Sequence, residues 1–414
     1  MLINANKNKY INLKKVRKEF PILKIKSNKK KLVFFDNGAS AQKPQIVLDK
    51  INEIYKTKYA NIHRGIYNLS QKATEEYEES RKKIKKFINA KSEKEIIFVR
   101  GATEGINLIA QSYGLNNFKK GDEVILSQME HHSNIVPWQL IRDKIGIKIK
   151  ILPINKDGDI DLKYFKKILT KRTKLVSILH VSNALGTIIP LKELIFISHK
   201  KNIPVLVDGC QSVPHMKVDI KNLNADFYCF SGHKIYGPTG VGILYCKEKY
   251  LEKMPPYQGG GEMISEVTFK KTTYQESPHK YEAGTPNIVG SIALGTAIDY
   301  INKIKIENIF KHEQTLLKYA TNKIKSLNDV TIIGTAKKKA GIISFIVKNI
   351  HPNDIGVILD NQGIAVRTGH HCCQPLMNFY KIPATIRVSF GLYNTINEID
   401  YFIDALKNAI NLLR

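Results

Sequence analysis

Long apolar runs are missing from this 414-residue chain: none reaches the roughly 20 residues a membrane-spanning helix requires. Cysteine is scarce. The five present are Cys210, Cys229, Cys246, Cys372 and Cys373, an odd number with no pair at zinc-finger spacing. A disulfide framework is therefore not expected, and free thiols suit a reducing compartment. Adjacent Cys372 and Cys373 would form only a strained bridge. The basic N-terminal stretch Met1 to Lys31 lacks the apolar core of a signal peptide and is poor in Arg and Ser, so a cytoplasmic location is expected. Acidic residues are also in short supply: 37 Asp+Glu face 65 Lys+Arg, a formal net charge of +28. Such a balance raises the question of a nucleic-acid partner. The lysines, however, are spread along the chain among Ile and Asn rather than clustered, and Arg, the better bidentate binder, is much rarer. A compositional drift toward Lys, Ile and Asn accounts for the charge, and no nucleic-acid partner is expected.

What is present is an ordinary globular composition, 43% hydrophobic and 25% charged, in a chain long enough for two domains. Short apolar runs of strand length occur at Glu95–Val99, Glu123–Leu126, Lys174–Leu179, Val205–Val207, Asp226–Phe230 and Val241–Tyr245. Helix-period segments lie between them at Glu104–Tyr113, Ile135–Ile145, Leu162–Leu169 and Leu191–Lys200. This alternation predicts a mostly parallel sheet covered on both faces, an α/β domain over residues 31–287. From about Ile288 the pattern changes to long amphipathic helices, Ser291–Ile304 and Ile306–Leu327, then strands at Val330–Ile333, Ile342–Val347, Ile364–Arg367 and Ile386–Ser389, and a last helix Ile396–Leu413. A smaller α+β domain over 288–414 is expected, with residues 1–30 packed on it. Pro255 to Gly284 has no helix period and reads as loops with a hairpin.

Five segments carry chemistry. Ser231-Gly232-His233-Lys234 follows a buried strand, where a desolvated lysine amine can serve as a Schiff-base nucleophile; alone, such a lysine is more simply a surface residue. Asp208 ends another strand, with Gln211 three residues on. A carboxylate there can hold a pyridine nitrogen protonated, and a glutamine can donate to a phenolic oxygen; the plainer reading is a helix cap. Arg100-Gly101-Ala102-Thr103 opens a helix after a strand, an anion-binding arrangement or an ordinary cap. In Glu130-His131-His132-Ser133, an imidazole could stack on a cofactor and move protons. In Arg367-Thr368-Gly369-His370-His371-Cys372-Cys373, a thiol among Arg and His is a candidate to react as thiolate, against the commoner fate of a small buried core residue. The run His370 to Cys373 is too tight for a tetrahedral zinc site, and no metal is expected.

Taken in order along nearly the whole chain, these motifs resemble those of the SUF-type cysteine desulfurases, the second group of NifS-like enzymes within the class V aminotransferases. Val16 to Leu23, Asp36-Asn37-Gly38-Ala39-Ser40, Asn61-Ile62-His63-Arg64-Gly65 and Glu282-Ala283-Gly284-Thr285-Pro286-Asn287 add to the likeness. The resemblance implies a homodimeric pyridoxal-phosphate enzyme of fold type I, the aspartate-aminotransferase-like fold. It implies that Lys234 forms the Schiff base, with Asp208 on the pyridine nitrogen, Gln211 on the phenolic oxygen and His131 over the ring. Thr103, Ser231 and His233 match phosphate ligands, and Thr285 matches one from the other subunit. Asn183 and Arg387, with Arg367 nearby, match residues that hold the substrate carboxylate, and Cys372 matches the persulfide cysteine. The implied reaction converts L-cysteine to L-alanine for iron–sulfur cluster assembly, with selenocysteine lyase as a side activity. The short run from Cys372 into Gln374-Pro375 implies a SufE- or SufU-like sulfur acceptor and a scaffold complex as partners. Cys373 departs from the small residue familiar there, and Gly101-Ala102-Thr103 from a run with adjacent threonines. A class V aminotransferase, which needs Lys234 and Asp208 but not Cys372, and a basic polyanion-binding protein are the competing expectations.

Overall fold

The computed structural model describes residues 10–414; the expectation for residues 1–9 lies outside them. Seven strands form the central sheet in the spatial order Ile96–Val99, Gly242–Cys246, Phe227–Ser231, Val205–Asp208, Thr173–Leu179, Glu123–Ser127, Lys148–Leu152. The last five are mutually parallel; Gly242–Cys246 runs antiparallel to both of its neighbours. Both faces are covered, and six of the strands are buried almost without interruption, as a sheet sandwiched between helices requires. Only the edge strand Lys148–Leu152 opens toward solvent.

The helix beginning at Ala102 turns π-helical over Ile109–Gly114, so the expected Glu104–Tyr113 segment is one continuous but re-registered unit. The 20-residue helix Asn68–Phe87 has no counterpart among the expected elements. Its inward face is Ser70, Ala73, Tyr77, Ser80, Arg81 and Ile84, too polar to make an apolar stripe. It packs against Ile288–Ile304, whose Gly295 faces Ser80: a Cβ there would lie 2.6 Å from the Ser80 hydroxyl. Ile288–Ile304 therefore seats on the large sheet's helical layer before the chain passes to the C-terminal part.

That part is a four-stranded antiparallel sheet, Val330–Ile333, Ile342–Val347, Thr385–Ser389, Arg367–Gly369, backed by Ile306–Lys325, Pro352–Asn361 and Ile396–Leu412. Val33–Phe34 pairs in parallel with Ile364–Ala365, and Val33 and Phe35, just past the expected boundary at residue 31, belong to this C-terminal core. Upstream, Arg17 pairs with Glu398 at 2.7 Å and donates to the Tyr393 carbonyl, while the Phe20 ring packs edge-on against Tyr236, Tyr300 and Tyr393. The N-terminal segment thus stitches both parts together around one cleft. Between them, the hairpin Ile264–Val267/Thr272–Tyr274 occupies the loop-rich excursion. No helix among the described residues is long and apolar enough to cross a membrane.

Candidate active site

In an open parallel sheet, ligands bind beyond the carboxyl ends of the strands. The strand Val205–Asp208 ends there on Asp208, and Phe227–Ser231 ends on Ser231 and runs into the turn Gly232–Lys234. These ends open on a cavity of about 240 Å³. It gathers Thr103, His131, Asn183, Asp208, Gln211, Ser231, His233, Lys234, Arg367 and Arg387 from segments far apart in sequence.

Its floor is the Asp208 carboxylate, whose Oδ1 accepts the Cys210 N–H at 3.0 Å. Gln211 donates from Nε2 to the Gly38 carbonyl at 2.6 Å, which fixes the amide's orientation; its buried Oε1 has no partner among the described residues. Lys234 lines the cavity beside them, half-buried. One wall is His131. Its Nδ1 accepts the backbone N–H of Ser133 at 3.1 Å, so the ring proton sits on Nε2. Burial and then the Lys234 charge push this imidazole down to about 4, so it is neutral at physiological pH. Burial, helped by Lys234 and Lys43, also holds His233 down at about 4.

At one end, the turn before the helix Ala102–Leu108 meets Ser231: the Ala102 N–H donates to Ser231 Oγ at 2.9 Å, leaving the hydroxyl proton for another acceptor. The backbone is packed closely here, because a Cβ on Gly242 would lie 2.6 Å from Gly101 Cα. Only glycine lets that strand support the turn. Thr103, Ser231 and His233 rim this cup and also line a second, open groove of about 850 Å³ on its outer side. Thr285 is exposed and is not brought into the cavity of its own chain.

At the other end lies Arg387, fully buried, with Nη2 on Asp36 at 2.7 Å and Nη1 donating to the Asn183 carbonyl at 2.9 Å. Its Nε has no partner among the described residues. Burial opposes its charge, and Asp36 is the main offset. The Asn183 side chain is turned to the cysteine loop: Nδ2 donates to the His371 carbonyl at 2.6 Å, and Oδ1 receives the Cys373 thiol at 3.0 Å. Its expected role on a substrate carboxylate therefore rests on its remaining N–H.

Cys372 lies just outside the cavity lining, partly exposed, with Arg367 Nη2 3.5 Å from its sulfur. The loop is held from several sides. His132 N–H donates to the Cys372 carbonyl at 2.7 Å, Gln374 N–H donates to His132 Nε2 at 3.0 Å, and His371 Nε2 meets Thr385 Oγ1 at 2.7 Å. His371 and Cys372 both adopt left-handed backbone, with φ of 52° and 57°. Two successive non-glycine residues in this region are uncommon, and the surrounding bonds are what retain them. Cys373 is fully buried, and burial pushes its thiol up to about 12. Asp36, His132 and Ser133 stand inside segments noted in the sequence, but the sequence assigned them no role; they orient Arg387, the Cys372 loop and His131 through contacts that residue order does not announce.

A ligand matching these groups needs an anionic end for the cup, a protonated ring nitrogen opposite Asp208, and an aldehyde within reach of Lys234. The orphaned Gln211 Oε1 and Arg387 Nε also call for a polar occupant. Pyridoxal phosphate fits this set, and the fold and cavity are those of a pyridoxal-phosphate enzyme of fold type I. The profile of the aminotransferase class-V family matches residues 33–402. A cysteine desulfurase of Escherichia coli O8 (strain IAI1) is 48% identical over 400 residues, covering 96% of this chain and 98% of that protein. Two solved structures superpose closely. The cysteine desulfurase CsdA of Escherichia coli has a TM-score of 0.91 at 34% identity, covering 98% of this chain and all of that one. The apo cysteine desulfurase of Thermococcus onnurineus NA1 has a TM-score of 0.92 at 39% identity, covering 97% and 98%. The chain belongs to the class-V aminotransferase family and, within it, to the cysteine desulfurases.

Proposed function

We propose that this enzyme moves the sulfur of L-cysteine onto Cys372 and releases L-alanine, with the division of labour among side chains set out below. When bound, pyridoxal phosphate withdraws electrons from the substrate's α-carbon. Asp208 supports that by pairing with the ring nitrogen; Gly101–Thr103, Ser231 and His233 hold the phosphate. Arg387, with three of its five N–H groups still available, takes the substrate carboxylate. Lys234 removes the α-proton. His131, neutral with its proton on Nε2, returns a proton on the opposite side of the reaction.

The Cys372 thiolate, beside Arg367, attacks the substrate sulfur. The new S–S bond forms as the C–S bond breaks, and the bonding pair of that C–S bond stays with carbon, which is then protonated to give alanine. Cys372 keeps the persulfide. The observation that carries this reading is the position of Cys372: partly exposed, 3.5 Å from a guanidinium that lines the cavity, and pinned through His132. An aminotransferase has no use for such a thiol.

The tied, short loop limits the reach of the persulfide, which favours a dedicated protein acceptor of the SufE or SufU kind over free diffusion to small thiols. The outer groove rimmed by Thr103, Ser231 and His233, together with the exposed Thr285, fits a homodimer in which each subunit's Thr285 completes its partner's phosphate cup. Selenocysteine is a second substrate on the same geometry, because the C–Se bond is weaker. The deciding experiment measures alanine from L-cysteine with a thiol reductant. Wild type is expected to form it and Cys372→Ser almost none; equal alanine from both would overturn the assignment.

A further inference from the structure

Apart from the active cavity, two histidines and a glutamate meet elsewhere on the large domain. His63 comes from the loop before the helix Asn68–Phe87, Glu78 from the middle of that helix, and His279 from the turn His279–Tyr281 after the hairpin. Their ligand atoms, one from each residue, lie within 4.8 Å of one another. Sequence spacing could not flag the set, since its members stand at 63, 78 and 279.

We propose that His63, Glu78 and His279 bind a divalent transition metal of the zinc class, leaving an open position for water. The donor set is two imidazoles and one carboxylate, which suits zinc and its borderline neighbours rather than calcium or magnesium. His63 Nε2 already lies 3.0 Å from Glu78 Oε1, and the two imidazole rings are 5.0 Å apart centre to centre. The second nitrogen of His63, Nδ1, faces Glu262 Oε2 at 3.9 Å. A carboxylate behind a metal-bound histidine orients the ring and raises its basicity. His63 and Glu262 both hold left-handed backbone, with φ of 68° and 66°. That is a costly conformation for a residue other than glycine.

Charge is compatible with a cation. The neighbourhood holds two guanidiniums, Arg64 on Glu262 at 3.0 Å and Arg81 between Glu78 and Glu282. Three carboxylates, Glu78, Glu262 and Glu282, outnumber them by one. In the free protein His63 Nε2 donates its proton to Glu78 Oε1, and a metal on that nitrogen would take the proton's place between the two side chains. A groove of about 680 Å³ lined by Glu78, Arg81 and His279 opens the cluster to solvent, so an ion has a path in. The bound ion would tie the helix Asn68–Phe87 to the base of the hairpin.

The test uses the pyridoxal-phosphate-loaded enzyme carrying Cys372→Ser, which removes the exposed thiolate as a competing ligand. Zinc is added in equilibrium dialysis, and cobalt(II) in a parallel titration is followed by its visible absorption. One equivalent of zinc per chain is expected, with a cobalt spectrum that lacks a thiolate charge-transfer band. His279→Phe keeps an aromatic ring in place, and His63→Asn keeps a residue at ease in left-handed backbone. Each should weaken zinc binding by about 100-fold or more, since even partners behind the ligands are worth about 10- to 100-fold. Zinc should raise the unfolding temperature of the Cys372→Ser protein and not of either double variant. Absence of stoichiometric zinc, or equal binding after both substitutions, would overturn the site while leaving the desulfurase reading untouched.

Discussion

Arg387→Lys tests the substrate end of the cavity most directly. Arg387 is fully buried and spends two N–H groups inside the protein, one on Asp36 at 2.7 Å and one on the Asn183 carbonyl at 2.9 Å. The three that remain are arranged in a plane suited to a carboxylate. Lysine keeps the charge opposite Asp36, so the fold is spared an unpaired buried carboxylate, but it cannot supply the fork. Losing one charge-assisted hydrogen bond to the substrate costs about 1.5–3 kcal/mol. At about 1.4 kcal/mol per factor of ten, kcat/KM for L-cysteine should fall about 10- to 150-fold. The carboxylate is held equally before and during C–S cleavage, so the loss should appear mainly in KM. Alanine formation against L-cysteine concentration reads both constants, and retained cofactor absorbance checks that the cavity is intact. An unchanged KM with an intact cavity would show that Arg387 is structural and that the carboxylate binds elsewhere.

Gly242→Ala should loosen the phosphate cup, because its Cβ meets Gly101 Cα at 2.6 Å and the Phe230 carbonyl at 2.7 Å; cofactor retained on dialysis as firmly as in wild type would count against this. Cys373→Ala should keep desulfuration, since the buried thiol, pushed up to about 12, neither reaches substrate nor ionises; a loss as complete as that of Cys372→Ser would refute it. Glu282→Gln should destabilise the fold by about 3–5 kcal/mol, because Arg81 then keeps only the more exposed Glu78 for its buried charge; thermal unfolding reads the change. Acid should weaken the protein early. Burial holds His131, His180 and His312 down at about 4, below their unfolded value near 6.5, so the unfolded chain binds more protons between these values. Their contribution is complete above about 6.5 and is lost as pH falls toward 4. A urea midpoint that stayed level between pH 7 and 5 would contradict the three assignments.

Much of the framework is legible in the residue order. Fully buried strands are short apolar runs, and Thr173–Leu179, Val205–Asp208 and Phe227–Ser231 fall within a residue or so of their expected limits. The hairpin in the loop-rich excursion and the change of architecture after Ile288 are readable for the same reason, a change of hydrophobic period. Elements without a clean period are not. Asn68–Phe87 buries serines, a tyrosine and an arginine, and Lys148–Leu152 is a half-exposed edge strand rich in lysine.

By itself, then, the order of residues determined six of the seven strands of the central sheet, the strand ends that carry Asp208 and Lys234, and the thiol segment at Cys372, because these depend on local period and on motifs a few residues long. Only the tertiary structure decided what meets across the cleft. Asp36 braces Arg387 from 351 residues away, His132 pins the Cys372 loop through Gln374 from 242 residues away, and Cys373 turns the Asn183 amide from the cavity toward that loop. It also brought His63, Glu78 and His279 together. Contacts of this kind are set by how packed layers approach one another, and sequence separation carries no trace of that distance in space.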